Sequence, residues 1–557
     1  MGPFTEVEVG GRIEGVFTWT GGAETCPPAH PKRPPPHLKR SLENRMRTGL
    51  TVGLCVVLLI ACGIGYLAWL RDYRETHEPS KVAFAQYCAH CHGNALQGDQ
   101  LGPPLIGVEL QNGDSTAALI RAIGGGYPER GMPSFGKTLP PELVKGLALY
   151  VSEQRQGFGL TSQSWESRIP DGPQQARDHA FRVEVVAELA SRPYSIAPLP
   201  DGRILVSEIV RGLSVVDTQG NQGPLIADTP QVWDPILSSE NSYLMMGVLL
   251  DVALHPSFDE NGWIYLSHTH RCQIDCGFLI PKSMVQVVRG RIREGKWVDQ
   301  EVIWSVGPGL YTIVPDNVSA GRLAFDHDGH VYVSIGGKAS YDWVQSLDKP
   351  TGKIHRVRDD GDVPIDNPFE SEEEISTAHT VWSYGHRTPQ GLATHPVTGE
   401  IWGTEMGPRG GDEVNLIVRG GNYGWPMFTH GLDYDGEPVT IGQDLGLELN
   451  LEDTIQPVVD FTPAPAISSF EFYQGKAFTA WQNDLIVGSL RAQTLYRLRI
   501  EDGRLIDEEK LLTGLARIRD VEIGADGFVY LLLEHGEQGT IVRLVPSQGL
   551  SLGPEWP

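Results

Sequence analysis

Apolar and polar positions along this chain follow three different rhythms. From Gly49 to Leu70 (GLTVGLCVVLLIACGIGYLAWL) there is no charged residue. At about 1.5 Å per residue this stretch reaches about 33 Å, enough to cross a bilayer core, and it predicts one transmembrane helix. Around 140–154 the pattern changes: Pro140-Pro141 opens a run with apolar residues at Leu143, Leu147 and Leu149-Tyr150-Val151, predicting the closing helix of a small α-helical domain. Beyond about residue 178 no long period near 3.6 survives, and short β-rich runs between turn residues take over.

Those runs repeat. Gly202 RILVSE, Gly262 WIYLSH, Gly329 HVYVSI, Gly399 EIWGTE, Asn483 DLIVGS and Gly527 FVYLLL each pair a turn residue with a strand that mostly ends in small or polar residues. Six copies spaced by 44 to 84 residues predict an all-β six-bladed propeller over 178–547, with its site at the strand ends and loops of one face. Ahead of it the reading places a disordered cytoplasmic leader (1–48), the anchor (49–70), a small all-α cytochrome c domain (76–158) and a linker (159–177). Met46-Arg47 offers a second start position. Leu59-Ile60-Ala61-Cys62 resembles a lipoprotein box, although the apolar run continuing past Cys62 favours an uncleaved anchor.

Composition and charge narrow the function. The 557 residues carry 45 Lys and Arg against 70 Asp and Glu, a formal charge of −25, which excludes a nucleic-acid backbone as the main partner. Gly 65 and Pro 40 agree with many turns, and seven cysteines are too few for a disulfide scaffold. Lys39, Arg40, Arg45 and Arg47 precede the apolar stretch, so the positive-inside rule places the N-terminus in the cytoplasm and everything after Leu70 in the periplasm, anchored to the inner membrane.

Cysteine spacing supplies the first chemistry. Cys88-Ala-His-Cys91-His92 is C-x-x-C-H, in which two thiols form thioethers to haem vinyl groups and the adjacent imidazole takes the iron. The following HGNALQGDQLGPPL and Gly131-Met132-Pro133 resemble a class I cytochrome c, with Met132 as the second axial ligand of haem c. Cys272 and Cys276 lie in one short loop, which predicts a disulfide between them, a metal site with His268 and His270 being the rival reading.

Four arginines interrupt the acidic propeller: Arg387, Arg491, Arg517 and Arg519. The last two alternate with Ile518 at strand spacing, and paired guanidiniums suit a polycarboxylate. The stretches GHRTPQGL, EMGPRGGDEVNLIVRGGNYGWP, VPIDNPF and ARIRDV resemble the soluble quinoprotein glucose and aldose sugar dehydrogenases, which bind pyrroloquinoline quinone (PQQ) on a six-bladed propeller. That resemblance implies that the four arginines hold PQQ and that the Gly407 and Pro408 carbonyls bind the calcium that polarises it. It further implies a second calcium at Glu413 and Tyr423, with Asp412 in support.

The departures are specific. Where the family keeps a proton-accepting His, three residues before Gly321-Arg322-Leu323, this chain has Val318, beside Asn317. A quinone-contacting Gln is replaced by Met246. Asp316, His268 and His270 are the replacement bases considered, so the catalytic residue stays unassigned. The combined expectation is a membrane-tethered quinohaemoprotein that oxidises a sugar or other alcohol or aldehyde with PQQ and passes electrons to its own haem and a respiratory acceptor. The alternative is a non-catalytic propeller scaffold carrying an electron-transfer cytochrome.

Overall fold

The structure is a computed structural model describing residues 78–157, 164–232, 247–272, 282–313, 320–337, 340–369 and 376–547. It begins with a helical module of α1 (Pro79–Tyr87), α2 (Ala89–His92), α3 (Thr116–Gly125) and α4 (Pro141–Gln156). Glu78 caps α1 through its carboxylate, which accepts from the backbone N–H groups of Ser80 and Lys81, and Ser115 caps α3 in the same way. Phe84, Leu119, Ile123, Leu147 and Val151 form its buried centre. α4 is capped by Pro140, opens on Pro141 and stops at Gly157, which takes the left-handed conformation that ends a helix.

The rest is the six-bladed propeller that the repeats predict. Each repeated run is the second strand of one blade: Ile204–Glu208, Ile264–Arg271, His330–Ile335, Ile401–Glu405, Leu485–Ser489 and Val529–His535. The first strands (Pro193–Pro198, Leu249–Leu254, Ala320–Phe325, Pro389–Thr394, Ile467–Phe472 and Arg517–Ile523) touch their neighbours in a closed ring around the axis. All six pairings of first with second strand are irregular near the start of the first strand, as at Ile518/Asp520 and Ala320/Leu323. Such bulges tighten the twist that turns a flat sheet into a blade.

Closure comes from outside the repeats. Ala180–Leu189 pairs antiparallel with Gln538–Pro546, so a strand from the start of the propeller completes its last blade. The small polar residue near the end of several repeats has a use as well. Ser207 Oγ donates to the Leu250 carbonyl at 2.5 Å, Ser267 Oγ to Gly321 at 2.5 Å and Thr404 Oγ1 to Ser468 at 2.6 Å, each tying one blade to the next. At the axis the buried Arg322 donates to Asp251 at 2.8 Å and Asp520 at 2.7 Å, linking three blades.

The membrane part of the expectation is corrected. The stretch 49–70 and the leader 1–48 lie outside the described residues. Among the described residues no helix is long and apolar enough to cross a membrane. The longest, α4, has 16 residues, about 24 Å against a bilayer core of about 30 Å. The transmembrane helix, the membrane as a partner and the inner-membrane and periplasmic placement are therefore withdrawn.

Candidate active site

Strand order decides which residues can meet. In each antiparallel blade the start of the first strand and the end of the second lie at the same end of the ring. Arg387 lies two residues before the first strand of the fourth blade, Arg517 opens that of the sixth, and Arg491 follows the second strand of the fifth. All the predicted arginines thus belong to one face. They form two groups.

In the first group, the buried Arg387 donates through Nη1 to the carbonyls of Met406 at 2.9 Å and Gly407 at 2.7 Å, and through Nη2 to Tyr434 Oη at 3.0 Å. Its backbone N–H donates to Glu405, which also holds His386 Nδ1 at 2.9 Å. Asp412 lies close to Arg387 and Arg491; burial pushes its carboxyl up to about 7 against the N–H groups of Ile467 and Gly407 that favour the anion. Arg491 donates through Nη2 to Glu153 of α4 at 3.3 Å.

The second group is a buried cluster on Glu534. Arg519 bonds it at 2.5 Å, Arg192 at 2.6 Å, and Arg517 approaches to 3.9 Å. Burial alone would raise this carboxyl, but the three guanidiniums hold it down at about 2. Burial brings Arg517 down to about 10 despite the attraction of Glu534, with Arg519 and Arg192 adding repulsion. The bulge sits at Arg519, so the two arginines meet through Glu534 and not by the simple alternation expected from sequence. The Nε atoms of Arg192, Arg387 and Arg517 are buried without a hydrogen-bond partner. A face so rich in buried cations with unused donors is matched to a polyanionic ligand.

A model of the family described as Glucose / Sorbosone dehydrogenase matches residues 190–543, well over half of the chain. The chain belongs to this family. An uncharacterized protein, slr1608, from Synechocystis is 34% identical over 386 residues, covering 66% of this chain and 88% of its own. The aldose sugar dehydrogenase YliI of Escherichia coli is 33% identical over 370 residues, 65% of this chain and 92% of its own. A solved structure described as a glucose dehydrogenase superposes with a TM-score of 0.58 at 33% identity, covering 66% of this chain and 99% of its own. A second model, described as Cytochrome C oxidase, cbb3-type, subunit III, matches residues 76–151. The family member described here is an enzyme, a PQQ-dependent dehydrogenase, and the scaffold alternative is set aside.

The metal part of the expected function is corrected. Among the described residues no group of three or more His, Cys, Asp or Glu side chains is placed to hold a metal ion. The Gly407 carbonyl is taken by the Arg387 guanidinium, a cation where the calcium was expected, with Pro408 buried in the same turn. Glu413 is half-buried opposite Glu405, and desolvation of its carboxyl with that neighbouring carboxylate pushes it up to about 8, toward the protonated form. Tyr423 stacks on His386 at 4.3 Å. Calcium is therefore not carried forward. Nor is the relay of electrons from quinone to an internal haem and a respiratory acceptor, because the comparisons support a PQQ-type sugar or alcohol oxidoreductase propeller and no more.

Val318, Met246, Asn317, Asp316 and Cys276 lie outside the described residues. Cys272 is disulfide-bonded, which removes it as a metal ligand. His268 lies in the second strand of the second blade, opposite Leu249 at the start of the first strand and so toward the same face as the arginines. Burial, with His270 beside it, lowers its pKa to about 4, so it is a neutral imidazole at pH 7. Arg192 and Glu534 were missed in the sequence. Arg192 had a legible signal, since it immediately precedes a first strand just as Arg387 precedes another by two residues.

Proposed function

We propose that the arginine-rich face binds PQQ by its carboxylates and carbonyls and that the enzyme oxidises a sugar or another alcohol or aldehyde there. The observation that carries this reading is the set of buried guanidiniums whose Nε donors have no partner in the protein. Arg517 and Arg519 are anchored by Glu534, and Arg387 by two carbonyls, so these guanidiniums are held in place before a polycarboxylate arrives. Bound PQQ supplies a two-electron acceptor for the carbon that carries the substrate hydroxyl. Burial that lowers the His268 imidazole to about 4 makes it a weak proton acceptor, so the base that takes the hydroxyl proton stays unassigned. Titrating purified protein with PQQ and following aldose-dependent dye reduction tests the reading. Saturable binding with turnover is expected, and no binding overturns it.

The helical module fits a covalent haem c on Cys88, Cys91 and His92. Both cysteines are free thiols. His92 Nδ1 donates to the Pro103 carbonyl at 2.8 Å, which leaves Nε2 as the atom able to ligate iron. Met132 is pinned in a tight turn by reciprocal bonds with the Tyr127 backbone at 2.8 and 3.1 Å. A covalent haem absorbance that is lost in Cys88→Ala/Cys91→Ala is expected, and a signal surviving that change overturns the assignment.

A further inference from the structure

The match to the dehydrogenase family begins at residue 190, yet one earlier segment lies directly on the arginine face. Residues 164–168 are fastened to the loop that carries Arg491 and to the loop that leads into the strand of Arg517 and Arg519. Gln493 Nε2, two positions after Arg491, donates to the carbonyls of Ser164 at 3.3 Å and Glu166 at 3.0 Å. The N–H of Arg168 donates at 2.6 Å to the carbonyl of Leu515, two positions before Arg517. This strap holds the ring of Trp165 4.5 Å from the guanidinium carbon of Arg517 and 5.3 Å from that of Arg192.

An indole placed on two cations offers its electron-rich face to them and an apolar wall to whatever the cations bind. Trp165 is only half-buried, so part of its ring stays accessible. Arg192 and Arg517 each keep a buried Nε without a hydrogen-bond partner. Cations for carboxylates beside a flat aromatic surface are the two elements needed to recognise an aromatic polycarboxylate. We propose that Trp165 is a binding residue of the quinone site, supplied from outside the propeller, that stacks against the cofactor's ring system while Arg517 and Arg192 engage its charge. The inference rests on the quinone reading above.

The test titrates PQQ into the full-length protein and into Trp165→Ala, Trp165→Phe and Trp165→Leu, reading Kd by calorimetry and by quenching of intrinsic fluorescence. Loss of the aromatic face is expected to weaken binding about tenfold in the Ala and Leu variants, while Phe stays within about threefold of the parent. Should the Ala variant not fold, the Phe and Leu variants decide, since both keep apolar bulk and only one keeps a π face. Equal Kd values for the parent and the Leu variant overturn the role of Trp165 and leave the quinone reading intact. A parent protein that binds no PQQ overturns both.

Discussion

Glu534 shows how one carboxylate organises a cationic site. It is fully buried and shared by Arg192, Arg517 and Arg519, so removing its charge leaves like charges facing each other in a low-dielectric interior. Glu534→Gln is expected to destabilise the protein by about 3–5 kcal/mol, measured by urea unfolding at pH 7. The pH dependence has a definite sign. The folded carboxyl is held at about 2, below its ordinary 4.5, so its contribution is complete above pH 4.5 and is lost as pH falls toward 2. The variant should therefore show a flatter acid-stability profile in that window, and an unchanged profile would mean that Glu534 does not titrate there. The sequence pointed to Arg517 and Arg519 through their spacing, but the acid that joins them lies 15 residues from Arg519, on the neighbouring strand, where only pairing brings it close.

At the scale of elements, α1 and α4 meet the propeller through Arg409. This arginine is 1% exposed and donates to Glu78 at 2.7 Å and to Glu153 at 2.8 and 3.2 Å. Burial would lower its proton affinity, but Glu153 and Glu78 drive it above the usual range. Glu153 also reaches Arg491, so one helix touches the candidate quinone face directly. Arg409→Ala strands two buried carboxylates, a change that costs about 3–5 kcal/mol where a buried pair is broken. Hydrogen exchange should speed up in α1 and α4 and stay unchanged in the blades. No change in α1 and α4 would show that the module is held by other contacts. In the sequence Arg409 reads as part of a family motif, and nothing local pairs it with acids more than 250 residues away in the chain.

The whole molecule depends on closure. Ala180–Leu189 supplies the strand that pairs with Gln538–Pro546; without it the last blade would present an open edge, and Phe478 and Trp481, fully buried under Phe181, would lose that cover. A chain lacking residues 174–189 is expected to lose cooperative thermal unfolding and to aggregate, monitored by calorimetry and size-exclusion chromatography. A monomer with an unaltered transition would show that the ring closes by other means.

What the sequence determined by itself was local and periodic: the six strand runs, the helix after Pro140-Pro141, the C-x-x-C-H spacing and the arginines inside recognisable motifs. These are legible because side-chain rhythm, turn residues and short spacings are encoded within a few positions of one another. Tertiary structure alone decided that Arg192 and Glu534 complete the cationic cluster, that Arg387 occupies the Gly407 carbonyl, and that Trp165 and Glu153 reach the same face. Each of those facts depends on pairing between distant segments in a closed ring, and no local pattern records which distant segments a ring brings together.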